Sequence, residues 1–330
     1  MRRRELVRGI AGSVIFWPLD ALAQQRSPAR RIAVLMTTAQ SAQAEGYVSL
    51  ARAFEERLRE LGYVNGKNVR LQNVFVAPQP KEIEDKLNEI LPETDLLVVW
   101  STVASVAAKK IAQSIPIVFL TVGVPVEIGL VSSLNRPGGN MTGVTFEAAT
   151  ETYGLRLQML KEILPHINNV AVLKAKGDPN VVHAIKALEK AAPSLGIQLT
   201  QYEAKSSEDL PVVFQQMDGT AEGLVSIAGA FTFVNSTRIA QLTLQHRLPS
   251  CHGFRDTVVA GGLISLGPNM LSIAVQGANY VDKILHGERP ADLPVEQPTK
   301  MDVVINLKTA KAPGLDIPAT LLGRADEAIE

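Results

Sequence analysis

The sequence predicts an α/β protein of two similar lobes, each a parallel sheet flanked by helices, joined by several chain crossings. Three observations carry this. Short apolar runs alternate with amphipathic helical stretches from residue 32 onwards. The pattern restarts near residue 169, where Asn-Val-Ala-Val-Leu-Lys echoes Arg31-Ile-Ala-Val-Leu-Met. A chain of 330 residues with 46% hydrophobic residues is long enough for two medium cores.

Ile32–Met36 reads as a parallel strand buried on both faces. Tyr47, Leu50, Phe54, Leu58 and Leu61 then recur at helical spacing, and Gly62 stands just beyond as a stop. Strands follow at 69–75, 95–100 and 116–121, with helices at 80–91 and 102–113 between them. This order demands right-handed crossovers and an open parallel sheet. After the repeat, a second helix ends in Leu195-Gly196. Strands at 197–202, 223–228 and 249–253 and helices at 206–216 and 232–246 follow. A single sheet holding all these strands would exceed what open sheets usually sustain. Asn135–Asn140 leads into a run at 141–145, Gly261-Gly262 and Gly267-Pro268 punctuate a later strand, and Pro290–Pro298 is expected to be extended. Together these three segments predict a multi-strand hinge.

The first residues read as an export signal. Arg2, Arg3, Arg4 and Arg8 precede the apolar run Ile10–Trp17, and Ala21-Leu22-Ala23 predicts cleavage before Gln24. Pro18 and Asp20 keep the run far short of the ~20 apolar residues that a membrane span needs. The consecutive arginines leave general and twin-arginine export both open. No cysteine follows the run to take a lipid anchor.

Composition excludes several classes. Lys+Arg 33 against Asp+Glu 33 leaves no cationic excess for nucleic acid. The single cysteine, Cys251, precludes an intrachain disulfide and thiolate-based metal centres. The five histidines, at 166, 183, 246, 252 and 286, have no metal-ligand spacing. Cys251 and His252 are neighbours on a strand and point to opposite faces, so they cannot act as nucleophile and base. Lys174–Asn180 lacks the order of a phosphate loop, and neither a dinucleotide fingerprint nor a nucleophile elbow is present. No cofactor, metal or catalytic residue is implied.

Ligands of open α/β sheets bind beyond the carboxyl ends of the strands. Those ends carry Thr37, Thr38, Ser101, Thr102, Thr121, Val122, Gly123, Ala228, Gly229 and Gly253, with Phe231 and Phe254 following two of them. Thr145 and Gly267, in the later segments, are assigned to the same cleft. Small hydroxyls, glycines and backbone donors suit holding a ligand better than transforming one. Ser101 is a good N-cap for the helix that starts at Thr102. The free N–H groups of that first turn, with the hydroxyls of Thr37 and Thr121, favour a carboxylate or another oxyanion. An exported α/β enzyme is the alternative, with an acid–base pair assembled by folding from Glu147, Asp178 or Asp256. A regulator with the same core would need a DNA-binding domain of about 50–60 residues, and only about 30 residues precede the first strand.

The later chain carries more specific runs: Gly261-Gly-Leu-Ile-Ser-Leu-Gly-Pro-Asn269, Leu293-Pro-Val-Glu-Gln-Pro-Thr-Lys300, Ile305-Asn-Leu-Lys-Thr-Ala310 and Arg324-Ala-Asp-Glu-Ala328. Earlier come Leu58-Arg-Glu-Leu-Gly-Tyr-Val-Asn-Gly66, Ile115-Pro-Ile-Val-Phe119 and Arg136-Pro-Gly-Gly-Asn-Met-Thr-Gly143. These runs resemble the ABC-transporter substrate-binding proteins related to tryptophan- and tyrosine-uptake receptors, over essentially the whole mature chain. The resemblance implies the type I periplasmic-binding-protein fold, two Rossmann-like lobes closing on a small organic ligand, with an ABC permease in the inner membrane as partner. It implies a monomeric periplasmic receptor. The expected division is a signal peptide at 1–23, a first lobe at 28–145 plus about 269–292, and a second at 146–268 plus about 293–330. Where such proteins read Gly-Asp-Pro-Val after the fourth strand, this chain has Gly123-Val124-Pro125-Val126, and Leu266 stands where tyrosine is common. The expected ligand is therefore a small carboxylate with an apolar or aromatic body, ahead of an α-amino acid.

Overall fold

The computed structural model describes residues 29–37, 45–147, 150–311 and 314–330. The signal segment and Thr38 lie outside the described residues.

In the first lobe, β1 (Arg30–Thr37), α1 (Glu45–Glu60), β2 (Val69–Val76), α2 (Pro80–Ile90), β3 (Leu96–Trp100), α3 (Thr102–Ile111), β4 (Ile117–Gly123) and β5 (Met141–Glu147) follow one another. The strands form one parallel sheet in the order β2-β1-β3-β4-β5. The three central strands are buried almost throughout, which is why they read as continuous apolar runs. Edge strand β2 alternates instead. Gly62 takes φ +93° and lets Tyr63 N–H return to the Leu58 carbonyl, closing α1 with a left-handed exit.

The second lobe continues with α4 (Glu151–Ile163), β6 (Asn169–Ala175), α5 (Val181–Leu195), β7 (Gln198–Ala204), α6 (Leu210–Gln215), β8 (Gly223–Ser226), α7 (Ala230–Val234), α8 (Ser236–Gln245), β9 (Ser250–His252), α9 (Arg255–Val259) and β10 (Ile264–Pro268). After α10 (Met270–Leu285) come β11 (Met301–Asn306), α11 (Leu307–Lys311), α12 (Ala319–Leu322) and β12 (Glu327–Ile329). The sheet order is β12-β11-β10-β9-β8-β6-β7, parallel except where β11 runs against β10.

Helix α10 returns to the first lobe. Ile273, Ala274, Ala278, Tyr280 and Val281 share a core with Leu50, Phe54 and Leu58 of α1. A Cβ on Gly277 would meet Leu120 Cδ1 at 2.5 Å, so glycine is what lets the helix lie this close to β4. The chain crosses between lobes after β5, after β10 and along 293–301. In the last crossing Glu296 N–H donates to the Gly143 carbonyl and its own carbonyl accepts from Thr145 N–H.

Three segments differ from the expected elements. Strand β8 stops at Ser226 and α7 begins at Ala230, two residues earlier than the expected helix start. The helix expected over 232–246 is broken at Asn235, whose side-chain amide donates to the Phe231 carbonyl and whose Oδ1 accepts from Ser207 Oγ. Residues 206–216 divide into a 3₁₀ turn at Ser207–Asp209 and α6. Pro290–Asp292 is also a 3₁₀ turn rather than extended chain, with Arg289 bridging Asp292 across it.

Candidate functional site

The two sheets face one another at their carboxyl ends. Trp100, Ser101, Thr121, Phe146 and Met270 from the first lobe meet Gly229, Ala230, Phe233 and Phe254 from the second around a small cavity. Phe254 stands edge-on to Phe233, ring centroids 5.1 Å apart, and lies 6.1 Å from Phe146. The walls of this cavity are therefore largely apolar, with four aromatic residues among the nine, and are drawn from both lobes.

One edge is polar and conformationally strained. Ser101 and Thr121 hold φ of +99° and +57°, values that non-glycine residues rarely keep without compensation. Ser101 N–H donates to the Leu120 carbonyl and to Thr121 Oγ1, while Ser101 Oγ accepts from Ala104 N–H as the cap of α3. The N–H groups of Thr102 and Val103 have no intrahelical partner at this end. Thr102 Oγ1 accepts from Gly123 N–H at 3.2 Å and from Asn180 Nδ2 at 2.8 Å. The second of these bonds ties the lobes together across the cleft.

Beneath the cavity lies a buried ionic cluster at the start of α4. Arg156 pairs with Glu147 at 3.0 Å, donates through Nε to the Leu266 carbonyl, and covers the Tyr153 ring at 4.6 Å. Burial raises the Glu147 carboxyl above its ordinary range, against the pull of Arg156. Burial also drives the Tyr153 phenol far up, with the Glu147 charge adding to it. Asp178 is buried beside this cluster. Desolvation lifts it from 3.8 to about 6, opposed by the Asn180 backbone N–H and side chain. Burial and then the Arg156 charge depress His252 to about 3. Its Nδ1 and Nε2 contact the hydroxyls of Ser226 and Ser250. Cys251 is buried in the second core, its thiol pushed up to about 12 by desolvation.

The structure sorts the candidate residues. Ser101, Thr121, Gly229 and Phe254 line the cavity, and Thr37 is buried at the end of β1, its hydroxyl without a partner among the described residues. Thr102 and Gly123 form the contact with Asn180. Ala228 and Gly253 pack against each other below, with Gly253 beside Arg156 Nη2. Val122 points away, into the core containing Leu97 and Phe119. Thr145 is taken up by the Glu296 carbonyl of the third crossing. Phe231 packs with Leu210, Leu224 and Ile239 inside the second lobe and reaches only a neighbouring cavity. Gly267 lines a different cavity, with Asp256 and Asn269, where β10 approaches the Gly253 carbonyl too closely for any Cβ. Leu266 packs in the second core, so the absence of a phenol there does not alter the aromatic cavity.

Trp100, Phe146, Ala230, Phe233 and Met270 were not expected in the cavity. The early start of α7 exchanges Phe231 for Phe233, and continuation of β5 past Thr145 places Phe146 at the cleft. Arg156 interrupts the apolar face of α4 and so hides the helix from a search for hydrophobic periodicity.

Two doubly wound lobes closing on an aromatic cavity at their strand ends define a two-lobed solute-binding protein with the type I periplasmic fold. The chain belongs to the ABC transporter substrate binding protein family, which it matches over residues 36–329. A Tyrosine-binding protein of Clostridioides difficile (strain R20291) is 22% identical over 264 residues, 79% of this chain and 75% of the relative. Among solved structures, a conserved domain protein of Vibrio cholerae O1 biovar El Tor superposes with a TM-score of 0.83 at 27% identity, covering 91% of this chain and 99% of that one. The ABC domain in complex with L-Trp from Streptococcus pneumoniae gives 0.82 at 19% identity, covering 91% and 100%.

Proposed function

We propose that the protein is the periplasmic receptor of an ABC importer and reversibly encloses a small carboxylate with an aromatic or apolar body. The cavity assembled from Trp100, Phe146, Phe233, Phe254 and Met270, beside Ser101 at the N-cap of α3, carries this reading. The body would lie among the rings and the carboxylate against Ser101 and the first turn of α3. A ligand touching both lobes favours the closed arrangement by its differential affinity. The Thr102–Asn180 bond adds to that arrangement, because its partners sit on opposite lobes. Release follows when the permease favours the open form. The basic and apolar leader supports export and cleavage before Gln24, and among the described residues no helix is long and apolar enough to cross a membrane.

Mass spectrometry of the gently purified protein, followed by release of its contents, tests the reading. An aromatic or apolar carboxylate at about one per chain is expected, with the N-terminus at Gln24. Conversion of the released compound by the protein would favour the enzymatic alternative instead, and an N-terminus at Met1 would contradict export.

A further inference from the structure

A second cavity lies beside the second and third crossings, between the start of α10 and the strands β10 and β11. It has a volume of about 470 Å3, and its walls include Leu50, Phe233, Asp256, Ser265, Met270 and Asp302. Pockets that hold small organic molecules span about 300–1,000 Å3. Phe233 and Met270 also line the aromatic cavity, so the two adjoin through a shared apolar wall.

Ser265 points to an occupant. It is 1% exposed and lines this cavity, and its Oγ has no hydrogen-bond partner among the described residues. The alternation of β10 places it: Ile264 and Leu266 turn into the second core, and Ser265 turns the other way. A buried hydroxyl without a partner is costly, and a ligand able to donate to it or accept from it removes the cost.

The remaining polar groups largely balance one another. Met270 and Leu271 open the 16-residue α10, and their N–H groups have no intrahelical acceptor. Asn269 Oδ1 takes the next N–H, that of Ser272. The positive end of α10 and the Asp256 carboxyl group line the same cavity and offset each other. Arg255 is held in a fork by Glu327, at 2.6 and 2.7 Å, and Asp302 lies 3.3 Å from Lys300. Little net charge is left for an ionic ligand to match. Past Asn269 and Asp302 the groove continues into a further cavity, where Gln276, Gln297 and Thr299 stand with Glu296 and Lys300.

We propose that this groove is a second binding site, for a small neutral polyhydroxylated compound, a monosaccharide or a sugar alcohol. Each hydroxyl of such a compound donates and accepts at once. The lining offers acceptors at Asp256 and Asp302, donors at Met270 and Leu271, and a group of either kind at Ser265. The C–H faces of the compound match Leu50, Phe233 and Leu271. The site goes beyond the enclosed aromatic carboxylate, since Ser101, Thr121, Phe146 and Phe254 line the other cavity.

Calorimetric titration of ligand-stripped protein with D-glucose, D-galactose, D-mannose, D-ribose, D-mannitol, D-glucitol and myo-inositol tests it. At least one of these should bind one-to-one with a Kd below about 1 mM. Ser265→Ala should weaken that compound at least fivefold without lowering thermal stability, because the hydroxyl it removes has no partner among the described residues. Asp256→Asn should weaken it as well. Absence of binding to the wild-type protein by every probe overturns the proposal, and so does binding of equal strength by wild type and Ser265→Ala. The wild-type titrations stand whatever the stability of the variants.

Discussion

Replacing Asp178 with asparagine should make the ligand-free protein more stable at neutral and alkaline pH. Burial raises this carboxyl from 3.8 to about 6. At about 1.4 kcal/mol per tenfold change in proton affinity, the buried charge costs the folded state roughly 3 kcal/mol when ionised. Asparagine keeps an Oδ1 to accept the Asn180 N–H, a 2.9 Å bond in the wild-type protein, and removes the charge. Because the folded-state value is raised, the carboxyl's unfavourable contribution is absent below 3.8 and grows as pH rises through about 6. The advantage of Asp178→Asn should accordingly be greatest near pH 8, up to about 3 kcal/mol, and vanish near pH 4. His252 acts in the opposite sense. Held neutral down to about 3, it withdraws stability as pH falls below 6.5, but equally in both proteins. Urea unfolding of both proteins at a series of pH values, after complete ligand removal, reads the difference directly. A variant that is less stable at pH 8, or whose advantage does not shrink with acidification, would refute the assignment of Asp178 as a buried, uncompensated charge.

Other perturbations act on separate parts of the site. Gly123→Ala places a Cβ 2.7 Å from Asn180 Oδ1. Small-angle scattering should then show a more open particle than wild type under the same saturating ligand, and equal compactness would refute the contact's role in closure. Ser101→Ala and Thr102→Ala should each weaken carboxylate binding by about 1–3 kcal/mol if each loses a hydrogen bond that supports a charged group. Unchanged calorimetric affinity in both would move the carboxylate elsewhere. Arg156→Ala strands the Glu147 carboxylate in the interior and should cost about 3–5 kcal/mol by denaturant unfolding. The double variant Glu147→Gln/Arg156→Met should recover most of that loss, and a double variant as unstable as the single one would refute the electrostatic account.

Much of the fold was legible because parallel strands buried on both faces print as unbroken apolar runs. Ile32–Met36 and 96–100 are such runs, and the helices between them keep a regular stripe. The cleft was legible as a region because strand ends fall where those runs stop. Which aromatic enters it was not, since that depends on the phase of a helix start: two residues at Ala230 decide between Phe231 and Phe233. Asn235 breaks a helix through a side-chain bond that no hydrophobic pattern encodes. Asp178 was legible only as one of three loose acid–base candidates; the adjacent strands β6 and β8 bring it to Gly229, and only the approach of the two lobes brings Asn180 to Thr102. Val122 shows the complementary limit, because strand alternation turns it inward between two residues that face the cleft.

The central claim, reversible enclosure of an aromatic carboxylate between the lobes, is tested most directly by calorimetric titration of ligand-stripped protein beside its Phe254→Ala and Phe233→Ala variants. Saturable one-to-one binding of an aromatic carboxylate by the wild-type protein, lost or weakened at least tenfold in both folded variants, is the predicted result. Binding of equal strength in all three proteins, or no binding of any aromatic carboxylate by the wild type, would contradict it.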